Sequence, residues 1–323
     1  MQYLIREKMP FLLSCIALLL LACGSLAVGS YSIGFDNLTT SKGLDLFEVS
    51  RLPRTLALIL CGASLSVSGL IMQMLTQNHF VEPSTAGSMQ SAALGMLGIT
   101  LLWPEAPILF KMGFISLASL AGTLVFLSIL SRLSLKTALI VPLIGIMFGA
   151  VISALTTFIA IHFDLLQSLS AWTSGDFSGV LKGRYETLWI VAVVTVFAFI
   201  VADRFTLVGM GKSFATNLGV NYKRTMFIGV LMVAIVSGIV VATVGILPFL
   251  GLIVPNIIRR LRGDNVRHNL PWIALLGAGL VLLCDLIGRL ILYPFELPLG
   301  TILGVIGAAI FLYVLIRGPS EVI

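Results

Sequence analysis

Ten stretches of almost unbroken apolar sequence run through this chain, near residues 10–33, 52–76, 86–103, 108–131, 138–161, 187–205, 224–246, 249–261, 271–291 and 299–317. Most are close to the ~20 residues that a helix needs to cross a bilayer. Backbone polar groups in lipid must be satisfied within their own segment, so runs of this kind fold as helices. The expectation is an all-α polytopic membrane protein of about ten spans, a single domain over residues 1–323. The eighth run, 249–261, is too short to span unaided and should be partly embedded or packed against other protein. Composition agrees: 58% of the 323 residues are hydrophobic and 11% charged, against roughly 25% charged in soluble domains.

With the N-terminus in the cytoplasm, ten spans return the C-terminus there. Thirteen Lys and Arg residues then fall inside: Arg6, Lys8, Arg132, Lys136, Arg204, Lys212, Lys223, Arg224, Arg259, Arg260, Arg262, Arg267 and Arg317. Seven fall outside: Lys42, Arg51, Arg54, Lys111, Lys182, Arg184 and Arg289. The bias matches the positive-inside rule, and the net charge of +6 needs no nucleic acid to explain it. Arg6 and Lys8 before an apolar run ending at Ala22-Cys23-Gly24 imitate a signal peptide, but Leu21 and the many following spans favour an uncut first helix.

Between two of the apolar blocks lies a polar, glycine-punctuated segment, Val208 to Arg224, which must sit in water. The orientation puts it in the cytoplasm, where it is expected to meet a partner ATPase over about residues 207–223. Gly211-Lys212-Ser213 has the ending of a phosphate-binding loop, yet Thr206 stands where its first glycine should be and no strand precedes it. Any ATP must be bound by another subunit. The four cysteines all lie inside apolar runs with no C-x-x-C pair, and His79, His162 and His268 share no motif, so neither a disulfide framework nor a metal site is indicated. Asp285 is the deepest acid, near the outer end with Arg289 four residues on, so an i,i+4 pair is one reading of it. Ion-coupled carriers place ionisable groups near the midplane, and their lack here fits an external energy source.

Two further stretches stand out. Arg51 and Arg54 at the mouth of the second span, with Arg289, could form a cationic rim that docks an acidic partner. Headgroup snorkelling is the alternative for the first two. The loop Thr76 to Pro83 puts polar groups and a Phe at the inner end of the bundle, where they could close a pathway or merely turn the chain. Gly145-x-x-x-Gly149 and Gly300-x-x-x-Gly304 read as helix-packing faces.

Four stretches together carry a resemblance. They are Arg51-Leu-Pro-Arg-Thr55 with Gly62-Ala63 and Ser68-Gly69; Gln77-Asn78 with Glu82-Pro83; Pro248 to Pro255; and Asp285 to Arg289 followed by Glu296-Leu-Pro-Leu-Gly300. Over nearly its whole length the chain resembles the FecCD family of permeases in ABC importers for iron-siderophores, haem and cobalamin. The resemblance implies the type II importer permease fold with ten helices. It also implies a second permease subunit, identical or paralogous, two cytoplasmic ATPase subunits, and a periplasmic siderophore-binding protein. The location implied is a bacterial inner membrane. The implied roles are ATPase coupling for Gly211, Lys212, Ser213, Phe214, Ala215, Leu218 and Gly219. Binding-protein docking falls to Arg51, Arg54 and Arg289, and a cytoplasmic gate to Asn78, His79, Phe80, Glu82 and Pro83. No cofactor is expected in this chain, ATP and Mg being held by the ATPase, and no catalysis.

Three departures from the family's usual pattern are visible. Lys212 stands where the coupling stretch usually has an acid, His79-Phe80-Val81-Glu82 replaces Pro-Leu-Ala-Asp, and Asn256 replaces His after Pro255. Gly211–Gly219, Val254–Ile258 and Gly263–Asn265 look like the branch that imports catecholate or mixed-catecholate ferric siderophores. Cobalamin or haem as cargo is the alternative within the family, and an ion-coupled secondary transporter the alternative outside it.

Overall fold

A computed structural model describes residues 2–28, 45, 47–133 and 139–316. Lys42, Lys136 and Arg317 of the charge count, and the end of the first run beyond residue 28, lie outside the described residues. Helices α1 (Gln2–Ala27), α2 (Leu52–Thr76), α3 (Ser88–Leu102), α4 (Ile108–Ser131), α5 (Ile140–His162) and α6 (Leu166–Thr173) make up the first half. The second half comprises α7 (Leu188–Gly209), α8 (Lys212–Asn217), α9 (Tyr222–Val244), α10 (Leu250–Arg262), α11 (Val266–Ile291) and α12 (Leu299–Ile316). A π-helical turn, Phe47–Arg51, leads directly into α2.

Among the described residues seven helices are long and apolar enough to cross a membrane: α1, α2 with its leading turn, α4, α5, α7, α9 and α11. Two shorter apolar helices, α3 and α12, and the 13-residue α10 complete the ten embedded elements expected. Two differences from the sequence reading have a plain physical cause. The eight-residue α6 was not anticipated, because Leu166–Thr173 is too short for a hydropathy signal. Helix α11 starts at Val266, not 271, because the Asn265 side chain accepts from the His268 N–H at 3.2 Å and caps it. Pro271 then falls inside the helix.

Helix α2 is the axis of the bundle, buried along most of its length and packed against α11, α7, α10 and α9. Small residues let these backbones close up, since lipid supplies no hydrophobic drive between helices. A Cβ added to Gly69 of α2 would lie 2.1 Å from the Gly251 carbonyl oxygen of α10, and one on Gly62 would lie 2.6 Å from the Gly277 carbonyl oxygen of α11. One glycine of each anticipated pair behaves likewise, while Gly149 and Gly304 meet nothing closer than 3.3 Å and 3.9 Å. A Cβ on Gly145 would meet the Thr85 carbonyl oxygen at 2.2 Å, and one on Gly300 the Ser174 carbonyl oxygen at 2.5 Å. Helices α1, α4, α5 and α7 turn broad apolar faces outward, including Leu143, Met147, Val151 and Phe158 of α5.

Candidate functional site

Three groups of residues singled out by the sequence lie on this scaffold, two at one end of the bundle and one at the other. At the first end α7 stops at Gly209 and the chain reverses. Gly211 takes φ +109°, a conformation that side-chain-bearing residues rarely adopt, and starts α8 at Lys212. Helix α8 is pinned by Ala215, fully buried against the bundle, while Lys212, Ser213, Phe214 and Leu218 face outward. Phe214 is 42% exposed and Leu218 57%. Met210 beside them is exposed too. The Asn221 side chain accepts from the Arg224 N–H at 3.0 Å and starts α9. The expected coupling segment is therefore a short helix with a small apolar face and one cation, and the ends of the predicted 207–223 stretch belong to α7 and α9.

Loop 77–87 lies at this same end, between α2 and α3. Asn78 is buried, and its Oδ1 accepts from the Phe80 N–H at 2.9 Å, folding the loop on itself. The His79 carbonyl accepts from Asn256 Nδ2 at 2.8 Å, and Asn256 Oδ1 accepts from Arg259 Nη2 at 3.1 Å. Burial and the nearby Arg259 guanidinium hold the His79 imidazole down at about 4, well below the ordinary histidine value, with Asp264 opposing weakly. Phe80 sits against Phe311 of α12, ring centroids 6.3 Å apart at 77°, and Phe311 stacks on Phe249, 6.2 Å and 24°. Pro83 is buried.

Glu82 is 1% exposed. Its Oε1 accepts from the Phe249 N–H at 2.6 Å and from the Ser84 hydroxyl, and the N–H groups of Gly251 and Leu252 lie nearby. These are the first backbone donors of α10. At 13 residues α10 is about 20 Å long, shorter than the ~30 Å hydrocarbon core, so its N-terminus ends inside the bundle. Helix N-termini leave unpaired N–H groups and a partial positive charge. A carboxylate 167 residues away in sequence supplies what solvent cannot. The signal was present in the chain as a half-length apolar run, whose buried end must find acceptors; which acid would serve was not legible.

At the opposite end the three arginines of the expected rim make contacts within the chain. Arg289 is 5% exposed, its Nη1 donating to the carbonyls of Val28 (2.7 Å) and Ser25 (3.1 Å) and its Nη2 to Ser25 Oγ (2.7 Å) and to Asp285. Arg54 reaches Asp285 Oδ1 at 2.8 Å and Glu296 Oε2 at 2.6 Å. Arg51 is half-buried and donates to the carbonyls of Leu26 (2.8 Å) and Ala27 (3.2 Å). Arg51 and Arg289 thus satisfy the last carbonyls of α1, where cations are favoured by the helix dipole, and Arg54 braces α2 against α11. The i,i+4 reading of Arg289 with Asp285 holds. Arg54 and Arg289 are largely enclosed and paired with Asp285 and Glu296 rather than open to solvent.

A bundle of membrane-embedded helices, with a short exposed helix at one end and a buried ion network at the other, defines a polytopic all-helical membrane protein. The chain belongs to the FecCD transport family, which it matches over residues 16–317. It is 44% identical to the petrobactin import system permease protein FatD of Bacillus anthracis, across 95% of this chain and 91% of that one. It is 45% identical to the petrobactin import system permease protein YclN of Bacillus subtilis (90% and 95%). Identity to the ferric-anguibactin transport system permease protein FatD of Vibrio anguillarum is 39% (94% and 98%). Among solved structures, an inward-facing metal-chelate type ABC transporter superposes with a TM-score of 0.77 at 23% identity, covering 97% of this chain and all of that one; this likeness speaks for the fold.

Proposed function

We propose that this chain is the translocation subunit of an ATP-driven importer that carries an intact ferric siderophore, of catecholate or mixed-catecholate type, across a bacterial inner membrane. The observation that carries the reading is the identity of 44–45%, over nearly the full length, to two permeases named for petrobactin import. No bond is made or broken in this subunit, and ATP and Mg are held by a partner ATPase. Both termini lie in the cytoplasm. The outward apolar faces of α5 and α12 meet a second permease subunit, identical or paralogous, and the pathway runs between the two.

The short helix α8 is the contact for the ATPase. Phe214, Leu218 and Met210 supply an apolar knob that would be unfavourable in water alone, and Lys212 supplies a charge that sets the partner's complement. Closure of the ATPase dimer moves α8 and shifts the bundle between states open to one side or the other. The periplasmic siderophore-binding protein docks at the end bearing the arginine network, with half-buried Arg51 as its contact. Loop 77–87 closes the cytoplasmic side.

Uptake of radio-iron as ferric petrobactin, ferric anguibactin and a hydroxamate complex, in cells lacking this chain and with it restored, tests the proposal. Selective restoration of the first or second is expected. Restored uptake of cobalamin or haem alone would keep the transport mechanism and overturn the cargo.

A further inference from the structure

Loop 77–87 carries a side chain that cannot line a passage, because it is almost fully buried. Glu82 faces inward, and its Oε1 takes up two donors, the Phe249 N–H and the Ser84 hydroxyl, with the N–H groups of Gly251 and Leu252 close by. The arrangement is built around it. Thr85 Oγ1 accepts from the Glu82 N–H at 3.0 Å and donates back to the Glu82 carbonyl at 3.1 Å, fixing the backbone. Gly251 leaves the room the carboxylate uses, since a Cβ there would lie 3.1 Å from Glu82 Oε2 and 2.8 Å from Gly69 Cα. The residue whose N–H it holds, Phe249, has φ +63°. A non-glycine residue in that region costs of order 1 kcal/mol or more and persists only where its surroundings impose it.

That imposed conformation aims a ring. Phe249 stacks on Phe311 of α12, which meets Phe80 of the loop. Gly307 clears the space, for a Cβ there would be 2.5 Å from Phe249 Cβ. Three elements distant in sequence therefore meet in one aromatic layer, and the carboxylate behind it joins two of them through their backbones. We propose that Glu82 is a positioning residue that locks loop 77–87 to the buried N-terminus of α10, and so holds Phe249, Phe311 and Phe80 together as the barrier layer at the α8 end of the pathway. The inference rests on the reading of this loop as a gate and deepens it: the acid works from behind, and the rings do the closing.

Burial lifts the Glu82 carboxyl to about 7, and the hydrogen bonds it accepts oppose that rise. A carboxylate accepts at both oxygens and makes stronger hydrogen bonds than a neutral amide, whereas a glutamine would turn an NH2 donor toward the N–H groups at the start of α10. Glu82→Gln should release the layer, and Glu82→Asp, which keeps both acceptors, should hold it better. The test uses the full chain with Cys15, Cys23, Cys61 and Cys284 replaced by serine or alanine, and Ala308→Cys as a reporter one helical turn from Phe311 on the same face of α12. Inside-out membrane vesicles are treated with a membrane-impermeant maleimide below the melting midpoint of every variant. Labelling is expected roughly tenfold faster in Glu82→Gln, the scale of one lost hydrogen bond to a charged group, and near the parental rate in Glu82→Asp. Ser84→Ala should move it in the same direction by less. Parental labelling in Glu82→Gln overturns the proposal; should that variant fail to insert, parental labelling in Ser84→Ala does so instead. The readout needs no cargo, so failure to restore uptake of any siderophore, with labelling changed as expected, would retire the cargo and leave the lock standing.

Discussion

Arg289 and Arg51 lie in the same part of the molecule, yet opposite outcomes are expected when each is reversed in charge. The Arg289 guanidinium is enclosed by Asp285, Ser25 and the end of α1. Glutamate there would put a second acid against Asp285 and leave the α1 carbonyls unpaired. Removing one partner of a buried ion pair typically costs about 3–5 kcal/mol, so Arg289→Glu should lower the yield of inserted protein and the melting midpoint in detergent. A midpoint equal to the parent's would show the network to be dispensable. Arg51 is half-buried and donates to carbonyls at the end of α1. Arg51→Glu should insert normally and weaken docking of the binding protein, more at low salt than at high, because exposed charges are screened over about 10 Å at 0.1 M. Docking unchanged at every salt concentration would remove Arg51 from that surface.

The helices meet through absent side chains, and this is where their tolerance is smallest. Gly69 and Gly251 put the backbones of α2 and α10 in direct contact. Gly69→Ala must push the two apart, and overpacking of this kind costs about 1–3 kcal/mol. The melting midpoint should fall, whereas Gly113→Ala, with nothing within 4 Å of the added carbon, should leave it unmoved and so controls for any general effect of the substitution. The number and order of embedded helices could be read from the chain because hydropathy is local: each run reports its own burial in lipid. Partnerships were not legible for the converse reason. Ser25, Arg54, Asp285 and Glu296 meet from three separate stretches, and nothing near Arg289 in sequence except Asp285 says that its charge is already spoken for. The polar segment between α7 and α9 was legible because glycines and a cation between two apolar blocks can only be a loop in water; that six of its residues form a helix is a detail set by Gly211 and the buried Ala215.

At the scale of the whole molecule, one subunit presents unfinished surfaces. Its outward faces are apolar along α5, as lipid or a second permease requires, but the apolar knob on α8 sits in water. Lys212 at the head of that knob stands where the family usually carries an acid, so the partner ATPase should carry the matching change. Lys212→Glu is expected to reduce co-purification of the ATPase several-fold while leaving membrane insertion intact. Undiminished co-purification together with undiminished uptake would take Lys212 out of the coupling contact. The bond between Glu82 and Phe249 also has a consequence in time. The two residues are 167 positions apart, and at roughly 5–20 residues per second the ribosome needs on the order of ten to thirty seconds to pass from one to the other. Throughout that interval the nascent hairpin of α2 and α3 carries a buried acid with no helix to receive it. The bond that ties this loop to α10 therefore forms only after the second half has been made, and the first half stays unsealed until then.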